Sequence, residues 1–98
     1  MIDGEIVLCC FLWAHDGREA ELTAYESRVL AFVQDAGGEV LSRVASDGSD
    51  GHPHEIQVFR FVSQAALDTY LNDPRRTALA AERDYAIART ELFPVSLT

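Results

Sequence analysis

The chain has 98 residues and carries sixteen Asp and Glu against eight basic residues, a formal net charge of −8. It therefore lacks the basic stripe that would neutralise the phosphates of a nucleic acid or an anionic membrane. All eight basic residues are Arg, which excludes lysine Schiff-base chemistry and leaves guanidinium groups to clamp a carboxylate.

The length suits one domain, residues 1–98, and 48% apolar with 24% charged residues is the composition of an ordinary globular protein. The start, Met1-Ile2-Asp3-Gly4-Glu5, has no positively charged leader region, and the apolar run from Ile6 to Ala14 is too short to span a bilayer. A cytoplasmic protein is expected. Cys9 and Cys10 are adjacent and point to opposite faces of a strand, so no disulfide is expected.

Glu5 to Ala14 (EIVLCCFLWA) is almost continuously apolar and reads as a central strand buried on both faces. His15-Asp16-Gly17 breaks it, and Asp16 with Glu19 three residues on reads as a capping box that starts a helix. From Arg18 to Ala36, Leu22, Tyr25, Val29, Phe32 and Val33 recur at helical spacing, while Glu19, Glu26 and Asp35 fall elsewhere around the axis. Gly37-Gly38 ends that helix of about five turns.

Glu39 to Ala45 alternates as a strand, with Val40, Ser42 and Val44 on one face and Leu41, Arg43 and Ala45 on the other. Ser46 to Pro53 (SDGSDGHP) is a loop. The next strand, His54 to Val62, sets His54, Ile56, Val58 and Arg60 against Glu55, Gln57, Phe59 and Phe61. Ser63 caps a short helix carrying Leu67, Tyr70 and Leu71, and Asp73-Pro74 starts a second one that runs to about Ala88. A last strand, Thr90 to Leu97, contains Pro94 and so belongs at a sheet edge.

This order is βαββαβ, an α+β ferredoxin-like arrangement with an antiparallel four-stranded sheet. A chain this short has helices for one sheet face only. The second apolar face is expected to be covered by the sheet of a second copy, giving a homodimer.

The run from His54 to Arg83 joins a strand opening on His54-Glu55, Phe61 with Ser63, Tyr70, the Asp73-Pro74 helix start and Arg83 in the last helix. With it the chain resembles the dimeric α/β-barrel superfamily, which gathers antibiotic-biosynthesis-monooxygenase-like, EthD-like and many uncharacterised small domains. The resemblance covers nearly the whole chain. It implies the ferredoxin-like fold and the barrel-forming dimer, and leaves activity open, because this fold hosts oxygenases, isomerases, haem enzymes and proteins with no known reaction.

His54 opens a central strand and shares a face with Arg60, which suggests a base beside an anion clamp, with His15 as an alternative base. The structural alternative is Arg60 paired with a carboxylate such as Asp68 or Glu55. Trp13, Tyr25, Tyr70 and Tyr85 are candidates to line an apolar pocket between sheet and helices. His52, His54 and His15 form a three-histidine metal site only if they converge, and no carboxylate or Cys sits at tight ligand spacing, so no metal is expected. Arg75, Arg76 and Arg83 read as a solvated helix face. No phosphate loop, nucleophile elbow, CxxC or HExxH is present.

Two functions remain. One is a cofactor-independent enzyme, monooxygenase- or isomerase-like, acting on a small apolar or aromatic molecule. The other is a non-catalytic binding or stress-associated module.

Overall fold

A computed structural model describes residues 4–98. The elements are, in chain order, β1 (Ile6–Ala14), α1 (Glu19–Leu30), β2 (Gly38–Ala45), β3 (Glu55–Phe61), α2 (Gln64–Leu71), α3 (Pro74–Thr77), α4 (Ala80–Ala86) and β4 (Ile87–Pro94). The strands form one antiparallel sheet in the order β2-β3-β1-β4, with β1 and β3 central as their apolar sequences require.

The register of β1 against β3, with Leu8 opposite Phe59 and Cys10 opposite Gln57, sorts the side chains. Leu8, Cys10, Leu12, Phe59 and Phe61 turn toward the helices and join Leu22, Tyr25, Val29, Val33, Leu67 and Tyr70 in the core. Phe61 is completely buried and packs edge-on to Phe59 and against the Tyr70 ring. On the other face Phe11 packs edge-on to Phe93 and Trp13, in a field that includes Cys9, Ile56 and Val58. The helices all lie on the first side.

Two helix starts are those the sequence signals. Ser63 Oγ accepts the Ala66 N–H at 3.1 Å, and Asp73 Oδ1 accepts the Arg75 N–H at 2.8 Å with Pro74 at the first helical position. The start of α1 differs. Arg18 holds its N-cap position without a side-chain bond, and Asp16 sits in a turn closed by the Arg18 N–H on the His15 carbonyl, so the Asp16–Glu19 capping box does not form.

Helix α1 stops at Leu30, short of Ala36, because the chain tightens into three-residue turns: Phe32 N–H bonds to Val29 O and Val33 N–H to Leu30 O. Those turns bring Gly38 against the core, where a Cβ would lie 2.6–2.7 Å from the Phe61 and Val33 side chains. The expected helix from Pro74 to Ala88 is split into α3 and α4. The break at Ala78-Leu79 lets Leu79 pack against the core. Strand β4 begins at Ile87, earlier than expected, and Pro94 pairs with Leu8 at its far end on the sheet edge.

A register shift between Val40 and Ser42 corrects the alternation expected for β2. Val40 lies opposite Phe59 on the helix side, Ser42 and Val44 lie opposite Val58 and Ile56 on the other, and Arg43 is carried to the helix side opposite Gln57. One extra residue in the strand, a bulge, reverses the facing of everything after it.

His54 closes the end of the ladder. The chain leaves the sheet at Pro53, whose carbonyl accepts from Ser46 Oγ at 2.6 Å, and the imidazole takes the place of the missing strand: Nδ1 accepts the Ala14 N–H at 3.0 Å. In the neutral ring this leaves the proton on Nε2. Gly48, at φ 74°, lies flat against the ring, where a Cβ would stand 2.3 Å from Nε2. His54→Leu removes the acceptor and lowers stability by about 1–2 kcal/mol in urea denaturation, and His54→Asn, with a carbonyl oxygen at the same reach, recovers part of it. Equal midpoints for all three proteins would refute this role.

Candidate functional site

The structure does not gather the expected histidine and arginine cluster. His54 and Arg60 lie at opposite ends of β3, roughly 20 Å apart over six extended residues. Arg60 pairs across the strands with Glu39 at 2.9 Å rather than with Asp68 or Glu55. His15 is exposed with Nε2 3.1 Å from the Asp84 carbonyl, and His52 is exposed in the loop. Among the described residues no group of three His, Cys, Asp or Glu side chains is arranged to hold a metal.

The four aromatic candidates divide. Tyr25 and Tyr70 are buried between helices and sheet. Trp13 lies on the opposite sheet face, under the Arg89 guanidinium, with Nε1–H donating to the Gly51 carbonyl at 2.9 Å. Tyr85 is 52% exposed beneath Arg18.

Around Tyr70 the fold builds a different site. Glu26, Glu55 and Gln57 are buried, at 6%, 3% and 1% exposure. The Gln57 Nε2 amide donates to Glu26 Oε1 at 2.8 Å and to Glu55 Oε2 at 2.7 Å. Glu55 is neutralised by Arg43, whose Nε donates at 2.6 Å and Nη2 at 3.2 Å, and Arg43 is anchored to Ser27 Oγ and the Thr23 carbonyl. The bulge in β2 is what aims Arg43 inward. Glu26 has no ion-pair partner among the described residues, and its second oxygen is left over from the Gln57 bond.

Glu26 faces a small cleft under α3, about 50 Å³ in volume, lined also by Cys10, Gln57, Tyr70, Arg76 and Leu92. That space admits a few atoms, against the roughly 300 Å³ or more of pockets for drug-sized ligands. It opens at the β4 edge, where Leu92 is 39% exposed. Arg76 closes the other side. Its guanidinium stands 5.1 Å from the Tyr70 ring centre, Nη1 donates to the Leu71 carbonyl at 3.3 Å, and Nε is buried with no partner among the described residues.

Burial pushes the Glu26 carboxyl above its usual range, against the Gln57 hydrogen bond that pulls it down. Burial likewise lifts the Tyr70 hydroxyl to about 12, and burial with the nearby Glu26 charge lifts the Cys10 thiol to about 12. Tyr70 and Cys10 are thus protonated at neutral pH, Cys10 is a poor nucleophile, and Glu26 is the group here able to exchange a proton.

Residue type and spacing do not mark Glu26, Gln57 or Arg76 as functional. The signal that Glu26 does carry is its place four residues after Leu22 and three before Val29, on the buried stripe itself. For Gln57 it is a polar residue on the same strand face as Phe59 and Phe61.

No protein-family model matches the chain, and no curated protein is significantly similar to it in sequence. Solved structures do share its fold. PA3566 of Pseudomonas aeruginosa superposes with a TM-score of 0.76 at 14% identity over 100% of this chain and 98% of that one. A dimeric protein of unknown function with a ferredoxin-like fold from Bacteroides fragilis gives 0.74 at 7% identity, over 99% and 100%. SnoaB, a cofactor-independent oxygenase from Streptomyces nogalater, gives 0.70 at 18% identity, over 97% and 96%. The chain has the ferredoxin-like α+β fold, and at these identities the likeness extends to the fold alone.

The raised Glu26 pKa has a signed consequence. The folded chain favours the neutral carboxyl, so this contribution to stability is full below the ordinary carboxyl value of 4.5 and is lost as pH rises through the raised value. Glu26→Gln stays neutral and keeps an acceptor for Gln57. Its stability relative to the parent therefore increases as pH rises from the ordinary Glu range toward neutrality, read from urea midpoints, and a constant difference across that range would contradict the shift.

Proposed function

We propose that the chain works as a homodimer closed by its two sheets into an α/β barrel, and that each protomer's cleft under α3 carries out a cofactor-independent, monooxygenase- or isomerase-like reaction on a small apolar or aromatic carbon acid. The observation that carries this reading is the buried Glu26 carboxyl, unpaired by any cation among the described residues and facing the cleft.

Glu26 takes the proton from the activated carbon, and the C–H electron pair moves into the adjacent carbonyl to give an enolate. Gln57 holds the carboxylate in place through its 2.8 Å bond. Tyr70, kept protonated by burial, is the donor for the enolate oxygen. Return of the proton at another carbon is isomerisation, and attack of the enolate on dioxygen is oxygenation. In this reading Glu26 takes the part first considered for His54, Arg60 or His15, and Trp13 belongs to the dimer face.

Dimerisation is supported by the uncovered aromatic face around Phe11, Trp13 and Phe93 and by the dimeric description of the Bacteroides fragilis neighbour. The oxygenase description of SnoaB supports chemistry without a cofactor. A cytoplasmic location accords with two free cysteines, both buried. No helix among the described residues is long and apolar enough to cross a membrane. Non-catalytic binding is the second reading, favoured by the small volume of the cleft.

In sedimentation the protein runs at twice the 10.8 kDa chain mass across micromolar concentrations, and a 10.8 kDa species throughout would remove the dimer. Proton abstraction is read as deuterium exchange into 2-indanone, a neutral enolisable ketone, monitored by NMR. The parent accelerates exchange over buffer, and Glu26→Gln reduces the acceleration about 10²-fold or more. Exchange at the buffer rate, or equal rates for parent and variant, would leave the binding module as the reading.

A further inference from the structure

In a chain with sixteen acidic residues for eight arginines, a guanidinium without a carboxylate needs a reason. Among the described residues seven of the eight arginines have one within ion-pair distance, among them Arg43 with Glu55 at 2.6 Å and Arg83 with Asp84 at 3.8 Å. Arg76 has none. It is also the residue whose Nε is buried without a partner, and it stands in the wall of the cleft.

We infer that the cleft is a receptor for a small monocarboxylate, with the carboxylate held by the Arg76 guanidinium and the apolar remainder lying along Leu92 at the open β4 edge. This rests on the cleft being the substrate site and names the class of substrate it takes.

The guanidinium is a planar fork of five donors, of which Nη1–H is taken by the Leu71 carbonyl, the Tyr70 hydroxyl lies in hydrogen-bonding contact with the group, and Nε–H is without a partner among the described residues. The free Nε–H and a neighbouring N–H match the two oxygens of a carboxylate. Charge selects the same ligand. Arg76 is the one guanidinium in the cleft wall without a carboxylate among the described residues, since Arg83 is paired with Asp84 at 3.8 Å. A monoanion balances it, whereas a phosphate dianion would exceed it. Size agrees too: about 50 Å³ receives a carboxylate head, and the exposed Leu92 receives the rest of the molecule.

The experiment is a 15N NMR titration of the full chain at neutral pH with benzoate and with benzamide, its uncharged isostere. Benzoate shifts the Arg76 Nε–H and the amides of Tyr70 and Leu92, and binds roughly tenfold or more tighter than benzamide. Arg76→Met abolishes that preference, so both probes bind equally weakly. Arg76→Lys keeps the charge, loses the fork and retains part of it. Arg60→Met, outside the cleft and paired with Glu39 in the parent, leaves the preference in place, and because the readout is affinity and not exchange, a failure here is not mistaken for loss of the base. Where Arg76→Met fails to give a folded spectrum, the comparison of the two probes on the parent and on Arg76→Lys decides. Equal affinities on the parent, a preference that survives Arg76→Met, or shifts confined to surface arginines such as Arg89 would overturn the proposal.

Discussion

The pairing of β1 with β3 is the constraint on which the molecule depends. Because side chains alternate with a period of two, a slip of one residue in this register would exchange the two faces of both central strands. With Leu8 opposite Phe59 and Cys10 opposite Gln57, Phe61 meets Tyr70 and the helices seal that side. The same register turns Phe11, Trp13, Ile56 and Val58 outward together. One choice of pairing therefore produces both a core around a small cleft and an apolar face that the chain's own helices leave open.

Within that core the polar residues form a graded series. Glu55 is compensated by Arg43, and Gln57 ties Glu55 to Glu26 through one amide nitrogen. Compensation thins from the β2 side toward the cleft, so Glu26 and Arg76 are the groups whose desolvation the fold offsets least. Replacing a buried ion pair with apolar side chains is often neutral or stabilising. That both groups stand in the wall of one cleft is a stronger indication of use than either alone.

The features legible in the sequence are those that depend on neighbours along the chain. The central strand Glu5 to Ala14, the Ser63 cap and the Asp73-Pro74 start arise from local pattern and hydrogen-bond chemistry, and together they yield the βαββαβ order. The bulge between Val40 and Ser42 leaves no such trace, because alternation in a half-polar strand reads equally well with one residue out of step. Simple alternation accordingly puts Arg43 on the wrong face and hides the network it supports. His54 draws attention as a polar residue at a strand mouth, but its partner is a backbone N–H forty residues away, which no local spacing encodes. Glu26 reads as a solvated charge by residue type, although its position lies within the apolar stripe of α1.

The position of β1 between β3 and β4 also bears on how the chain comes off the ribosome. Every residue from Leu8 to Leu12 has a partner in the last strand as well as in the third. The first strand is synthesised before the other three, yet one of its edges stays open until Ile87–Pro94 has left the exit tunnel. During that interval the nascent chain presents a long, flat and strongly apolar strand with unpaired backbone groups, the kind of edge that invites pairing with a neighbouring chain. The run through Cys9, Cys10, Phe11, Leu12 and Trp13 carries no charge that would keep this edge from pairing with a neighbouring chain.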